Sequence, residues 1–75
     1  MNKKYKVFLV FGKESQEFVF EDDNFSQAKG FVINVTRYFY PWDPVCGDMN
    51  DKHGRYLIKD GEKIIYASRW YIIPG

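Results

Sequence analysis

The sequence predicts an α+β fold: an antiparallel sheet of four to five strands with one helix packed across one face, in the order strand, strand, helix, strand, strand. Three observations predict it. Apolar residues alternate over Tyr5, Val7, Leu9 and Phe11 and again over Phe18 and Phe20, the period-two pattern of strands. Beyond Asn24 the period changes, and Phe25, Ala28, Val32, Val35 and Phe39 fall three or four apart, on one face of a helix. Alternation then returns around Asp60-Gly61, a turn dipeptide flanked by apolar runs.

The first strand, residues 5–11, also carries Phe8 and Val10 on its second face, which predicts a central position in the sheet. Simple alternation over residues 17–21 turns Phe18 and Phe20 inward and Glu17, Val19 and Glu21 outward. The connection Gly12-Lys13-Glu14-Ser15 is short enough to make the pair a hairpin.

Asn24 is placed to cap the helix, with Gln27 three residues on completing a capping-box pattern. Asp22 and Asp23 stand beside the positive end of the helix dipole. The helix runs from 25 to 38 or 39, because Pro41 disfavours helical geometry at Tyr40. Gly30, Ile33, Val35 and Thr36 lower its intrinsic propensity, so packing on the sheet has to hold it.

Residues 41–53 read as a polar loop with Pro41, Pro44, Gly47 and the acids Asp43, Asp48 and Asp51, long enough to be a candidate functional segment. A type I′ turn at Asp60-Gly61 pairs Lys59 with Glu62, Ile58 with Lys63, Leu57 with Ile64 and Tyr56 with Ile65. Alternation continues from Ile64 to Ile73, too far for one partner strand. Either a bulge bends this strand or residues 70–73 pair elsewhere.

A chain of 75 residues supports one domain spanning 1–75. It buries only about 60 to 65% of the surface its unfolded form exposes, so deep pockets are not expected. Large side chains compensate: seven Phe, six Tyr and two Trp. A single cysteine, Cys46, excludes an internal disulfide and suits a reducing, cytoplasmic setting. The apolar run 7–11 behind Lys3, Lys4 and Lys6 is too short for a signal peptide, and no stretch approaches a membrane span.

The formal net charge is +1, unevenly spread. Lys3, Lys4, Lys6 and Lys13 precede Glu14, Glu17, Glu21, Asp22 and Asp23, as expected of two antiparallel strands with opposite charges across the pair. The near-neutral total argues against a nucleic-acid-binding domain, which carries a clear basic excess.

Few residues offer chemistry. Cys46 and His53 are the only thiol and the only imidazole; the sequence shows no third group to orient the histidine. They supply half of a tetrahedral zinc site, with Asp43 or Asp48 as added oxygen donors. Residues 48–54 imitate a calcium loop, but Lys52 replaces an oxygen ligand, His53 the required glycine and Lys59 the bidentate glutamate. The chain therefore reads as non-enzymatic, with no metal and no cofactor.

The aromatic surplus carries the functional reading. Tyr38, Phe39, Tyr40 and Trp42 cluster where helix meets loop, and Arg69, Trp70 and Tyr71 cluster in the last strand. Neighbours in a strand point to opposite sides, so these rings cannot all enter one core. Tyr38, Tyr40, Trp42, Arg69 and Tyr71 are the candidate partner-binding residues, because Trp, Tyr and Arg dominate interface hot spots. Arg69 and Tyr71 extend the patch where their shared face turns away from the helix. Pro41 and Pro44 stiffen the loop and hold Trp42 beside Tyr38 and Tyr40.

The expected partner is a protein, for a monomer or homodimer without membrane contact. Small inhibitor or accessory proteins, including those of phages and mobile elements, share this style. The alternative is a single-stranded nucleic acid stacked on sheet and loop aromatics.

The helix assignment has a direct check. Val32→Asp is expected to unfold the domain, since an unpaired charge in so small a core costs several kcal/mol against a total stability of about 5 to 15; a thermal melt unchanged from wild type would show that another face packs on the sheet.

Overall fold

The computed structural model describes residues 3–12, 15–43, 45 and 53–73. Its elements are β1 (Tyr5–Phe11), β2 (Ser15–Asp22), α1 (Phe25–Thr36), β3 (Tyr40–Pro41), β4 (His53–Asp60), β5 (Lys63–Ala67) and β6 (Tyr71–Ile72). The six strands form one antiparallel sheet in the order β2-β1-β4-β6-β3, with β5 also paired to β4. The class is α+β, as the periodicities require. The strand count differs because two short strands, β3 and β6, extend the sheet. Lys13, Glu14, Pro44, Cys46, Gly47, Asp48, Asp51 and Lys52 lie outside the described residues.

The helix crosses one face. Val7 and Leu9 of β1, Tyr56 and Ile58 of β4, and Ala28 and Val32 of α1 form the buried core, with Phe25, Val35 and Phe39 packed around it. Val32 is 1% exposed. Phe31 joins this layer from outside the expected stripe, its ring stacked on Phe20 at 4.6 Å and edge-on to Tyr56 at 6.3 Å. The helix thus buries a wider arc than the 25/28/32/35/39 pattern implies, as suits a helix lying over several strands rather than along one seam.

The helix is capped as its sequence suggests, with one change of partner. Asn24 Oδ1 accepts the Ser26 N–H at 2.8 Å. The Asn24 N–H donates to Asp22 Oδ1 at 2.8 Å, so the acid takes the part that a capping box assigns to Gln27. The helix ends at Thr36, short of 38 or 39. Thr36 Oγ1 donates to the Val32 carbonyl at 2.7 Å, and residues 37–39 turn the chain so that Tyr40 and Pro41 can extend and pair with β6.

Two bulges set which rings face which way. In β2 the register steps from Val7↔Phe20 to Phe8↔Phe18, leaving Val19 as the extra residue. Phe18 and Phe20 therefore separate: Phe20 packs on the helix side, while Phe18 turns to the opposite face, where it is 51% exposed. Val19 packs toward the core with Phe20, contrary to plain alternation.

The β4–β5 turn also differs from the type I′ reading. Its closing pair is Asp60↔Lys63, and Lys59 stands opposite Ile64. Gly61 occupies the first central position with φ +66, while Glu62 keeps a negative φ; this is the type II′ pattern, which needs glycine first. A second bulge at Ile65 then sets Tyr66 opposite Ile58 and Ala67 opposite Leu57. Tyr66 joins the helix side, with Lys29 Nζ 5.6 Å from its ring centroid.

After Ala67 the chain leaves the ladder. Ser68 N–H still donates to the Tyr56 carbonyl at 2.9 Å, but the Tyr56 N–H is met by Ser68 Oγ, also at 2.9 Å, rather than by a backbone carbonyl. Ser68 is buried, and its hydroxyl donates onward to the Arg69 carbonyl at 2.9 Å. Beyond this break β6 returns to β4 at His53↔Ile72 and Gly54↔Tyr71 and accepts β3 on its other side. The long last strand thus bulges, breaks at Ser68 and then rejoins the same strand β4 while gaining β3 as a second neighbour. Gly54 is required here, because a Cβ would lie 2.7 Å from the Val10 carbonyl oxygen. Among the described residues, no helix is long and apolar enough to cross a membrane.

Removing the Ser68 hydroxyl leaves a buried N–H without its acceptor, so Ser68→Ala is expected to lower stability by about 1 to 3 kcal/mol in urea unfolding. Ser68→Thr, which retains the hydroxyl, is expected to lose less; equal losses would show that packing, not the bond, matters there.

Burial, aided by the negative charge of Glu17, holds the Tyr56 phenol above its ordinary value of 10.0. The folded protein therefore keeps a proton that the unfolded chain releases. This contribution is intact below pH 10 and declines as pH climbs from there through the raised folded value. Unfolding free energy measured against pH should fall less steeply above pH 10 in Tyr56→Phe than in wild type, and matching slopes would remove Tyr56 from the account.

Candidate functional site

The second face of the sheet has no helix over it among the described residues. Strand alternation and register arrange it in rows across the sheet. Glu21, Lys6, Lys59 and Ile64 form one row; Phe18, Phe8, Leu57 and Ala67 form the next; Gln16, Val10 and Arg55 form a third. The fourth joins His53, Ile72 and Tyr40. Val10 and Leu57 are buried although they lie outside the helix-side core.

The fourth row carries the densest cluster. Trp42 stacks on His53, with ring centroids 4.4 Å apart and planes 15° from parallel. Trp70 meets the same imidazole edge-on at 5.1 Å. The Arg55 guanidinium lies 4.9 Å from the Trp70 centroid, a cation over a ring. A backbone bond from Trp42 N–H to the Trp70 carbonyl, 2.9 Å, ties β3's end to the segment that follows Ser68.

Pro41, Trp42, Arg55, Ser68, Arg69 and Trp70 line an open groove of about 450 Å³. Trp42 Nε1 and Arg55 Nε are buried with no hydrogen-bond partner among the described residues. Beside it, Tyr38, Phe39, Tyr40 and Ile72 line a smaller hollow of about 210 Å³.

The candidate residues fall into three environments. Tyr38 and Tyr40 are 78% and 77% exposed, the former with the Arg37 guanidinium 5.5 Å from its ring centroid. Trp42 and Arg69 border the groove. Tyr71 lies opposite Gly54 in register and packs against Phe39 at 6.2 Å, on the helix side, so it does not extend the open-face patch. Trp42 is half-buried and stacked, hence a structural support as well as a candidate contact.

His53 is part of the aromatic stack, a position its sequence context among loop residues does not reveal. Arg55, Trp70, Phe8, Phe18 and Lys59 complete the open surface. The sequence signal for them is the second face of the first strand, Phe8 and Val10, once its partner strands are aligned with it. Among the described residues, no three or more His, Cys, Asp and Glu side chains converge in a group able to hold a metal ion.

Charge also separates by face. On the paired strands, Lys6, Arg55 and Lys59 fall on the open side, with Glu21 as the acid in their rows. Glu17, Asp22 and Asp60 have the opposite parity, opposite Leu9 and Tyr5 on the helix side, where Lys63, opposite Asp60, is the paired-strand cation. Lys59 Nζ lies 4.9 Å from the Phe8 centroid and donates to Gln16 Oε1 at 3.2 Å, while Phe8 and Phe18 meet edge to face at 5.9 Å.

No protein-family model, no curated protein and no solved structure matches this chain.

Proposed function

We propose that the chain is a small non-enzymatic binding module, acting in the cytoplasm as an inhibitor or accessory protein, that docks on a protein partner through the aromatic end of its sheet. The observation that carries this reading is the pair Tyr38 and Tyr40, each more than three-quarters exposed, standing beside a hollow floored by Phe39 and Ile72. Burying two such rings in a partner removes a large apolar area from water while leaving their hydroxyls able to hydrogen-bond at the rim.

The base beneath them is already ordered. β3 pairs with β6, Trp42 stacks on His53, and the Trp42–Trp70 backbone bond closes the end of the sheet. Rings mounted on a packed base lose little conformational freedom on docking, so more of their contact energy remains as affinity. Arg37, exposed beside Tyr38, and Arg69, exposed at the neighbouring groove, add charge that can select an acidic rim on the partner.

The test captures the partner from host lysate on immobilised wild type and measures its affinity after purification. Tyr40→Ala and Tyr38→Ala are each expected to weaken that affinity by about 1 to 3 kcal/mol, the range of hot-spot residues. Their thermal melts should stay close to wild type because neither ring is buried. An affinity unchanged in the folded double variant would end the proposal. Trp42→Ala is a poorer probe, because losing the ring that stacks on His53 is expected to lower the melt as well.

A further inference from the structure

We infer that the first three rows of the open face, from Glu21 to Arg55, are a second binding surface beside the row that carries Tyr40, and that their ligand is a single-stranded nucleic acid. The inference begins from the charge pattern. A net charge of +1 hides a division in which the open-face rows hold Lys6, Arg55 and Lys59 against Glu21. That face is basic where the chain as a whole is not, and a polyanion is attracted by the face it meets.

The rings on this face suit bases. Phe18 is half-exposed at the outer strand, Phe8 lies next to it on the central strand, and Trp70 lies at the far side against Arg55. Aromatic side chains spread along a sheet offer flat surfaces to successive unstacked bases, and the interleaved cations meet the phosphates between them. Successive rows are two residues apart, roughly 6.8 Å along the strands, so rings and cations alternate over a length that an extended strand of nucleotides can follow. A duplex keeps its base faces stacked inside and cannot use these rings.

A second copy of the chain fits the face poorly. A two-fold axis through the Phe8 row would exchange the flanking rows and bring Lys59 of one copy toward Arg55 of the other. The like charges then meet over the apolar strip. For a single-stranded polyanion the same charges are favourable.

The experiment measures fluorescence anisotropy of labelled oligothymidine and oligouridine of about twelve nucleotides, within the footprint of small sheet domains, beside a duplex of equal length. Both single strands are expected to bind saturably and more tightly than the duplex. With three cations meeting phosphates, raising salt from about 50 to about 200 mM should weaken binding about 20-fold. Phe18→Ala is expected to weaken it at least about fivefold, and Lys59→Gln to flatten the salt dependence, with melts near wild type because Phe18 is half-exposed. Tyr38→Ala should bind the oligomers as wild type does, which separates this surface from the protein-docking end. The inference is overturned by absence of saturable binding at the lower salt, by duplex binding as tight as single-strand binding, or by undiminished binding in folded Phe18→Ala. A concentration-dependent dimer in sedimentation that Phe18→Ala abolishes would likewise overturn it, giving the face to a second copy.

Discussion

One side-chain hydrogen bond made in place of a backbone bond governs the aromatic end of this molecule. Where β5 runs out, Ser68 Oγ accepts the Tyr56 N–H and its own N–H keeps the Tyr56 carbonyl satisfied. An interior amide left without an acceptor is costly, so a strand cannot leave a ladder there unless something replaces it. The hydroxyl does so. Because it does, residues 69–70 can step out of the sheet and residues 71–72 can rejoin it between β4 and β3. Trp70 reaches Arg55 and His53, Trp42 reaches His53, and Tyr38 and Tyr40 are carried to the rim, all downstream of that departure.

The parts of this fold that are legible in sequence are those where one period governs a whole element. Residues 25, 28, 32 and 35 repeat as a helix must, and the helix stands where that repeat places it. The alternation of residues 5–11 likewise fixes both faces of the central strand. Parity fails where one residue is inserted. The bulges at Val19 and Ile65 turn Phe18 outward and Tyr66 inward, and no local pattern distinguishes a strand with an extra residue from one without. Phe31 escapes the helical stripe because the breadth of sheet beneath the helix, from Phe20 of β2 to Tyr56 of β4, decides how wide an arc is covered, and a local pattern does not display it.

The candidate site is less legible for a related reason. Tyr38, Tyr40 and Trp42 are conspicuous by type, but whether a ring is exposed depends on what lies beneath it. Trp42 finds His53, a residue that looks incidental in sequence, and Tyr71 finds Phe39 on the other side of the sheet. Tyr40-Pro41 reads as a helix stop rather than a strand, because two residues are too few for any period and proline lacks a donor. At the edge of the sheet a proline is nonetheless tolerated, since its missing N–H can face outward. Net charge misleads in the same way: a sum over the chain erases the difference between faces.

The bulge at Val19 has a consequence for the behaviour of many copies at once. β2 is an edge strand eight residues long with Phe18 and Phe20 in it, the kind of border on which another chain can add in register and begin a cross-β stack. Growth of that kind needs an even hydrogen-bonding rhythm along the border. The extra residue breaks the rhythm midway, and Glu17 and Glu21 on either side of the break set like charges against any identical strand that approaches in parallel register. The bulge that separates the two phenylalanines is therefore also a feature that works against edge-to-edge addition of identical strands.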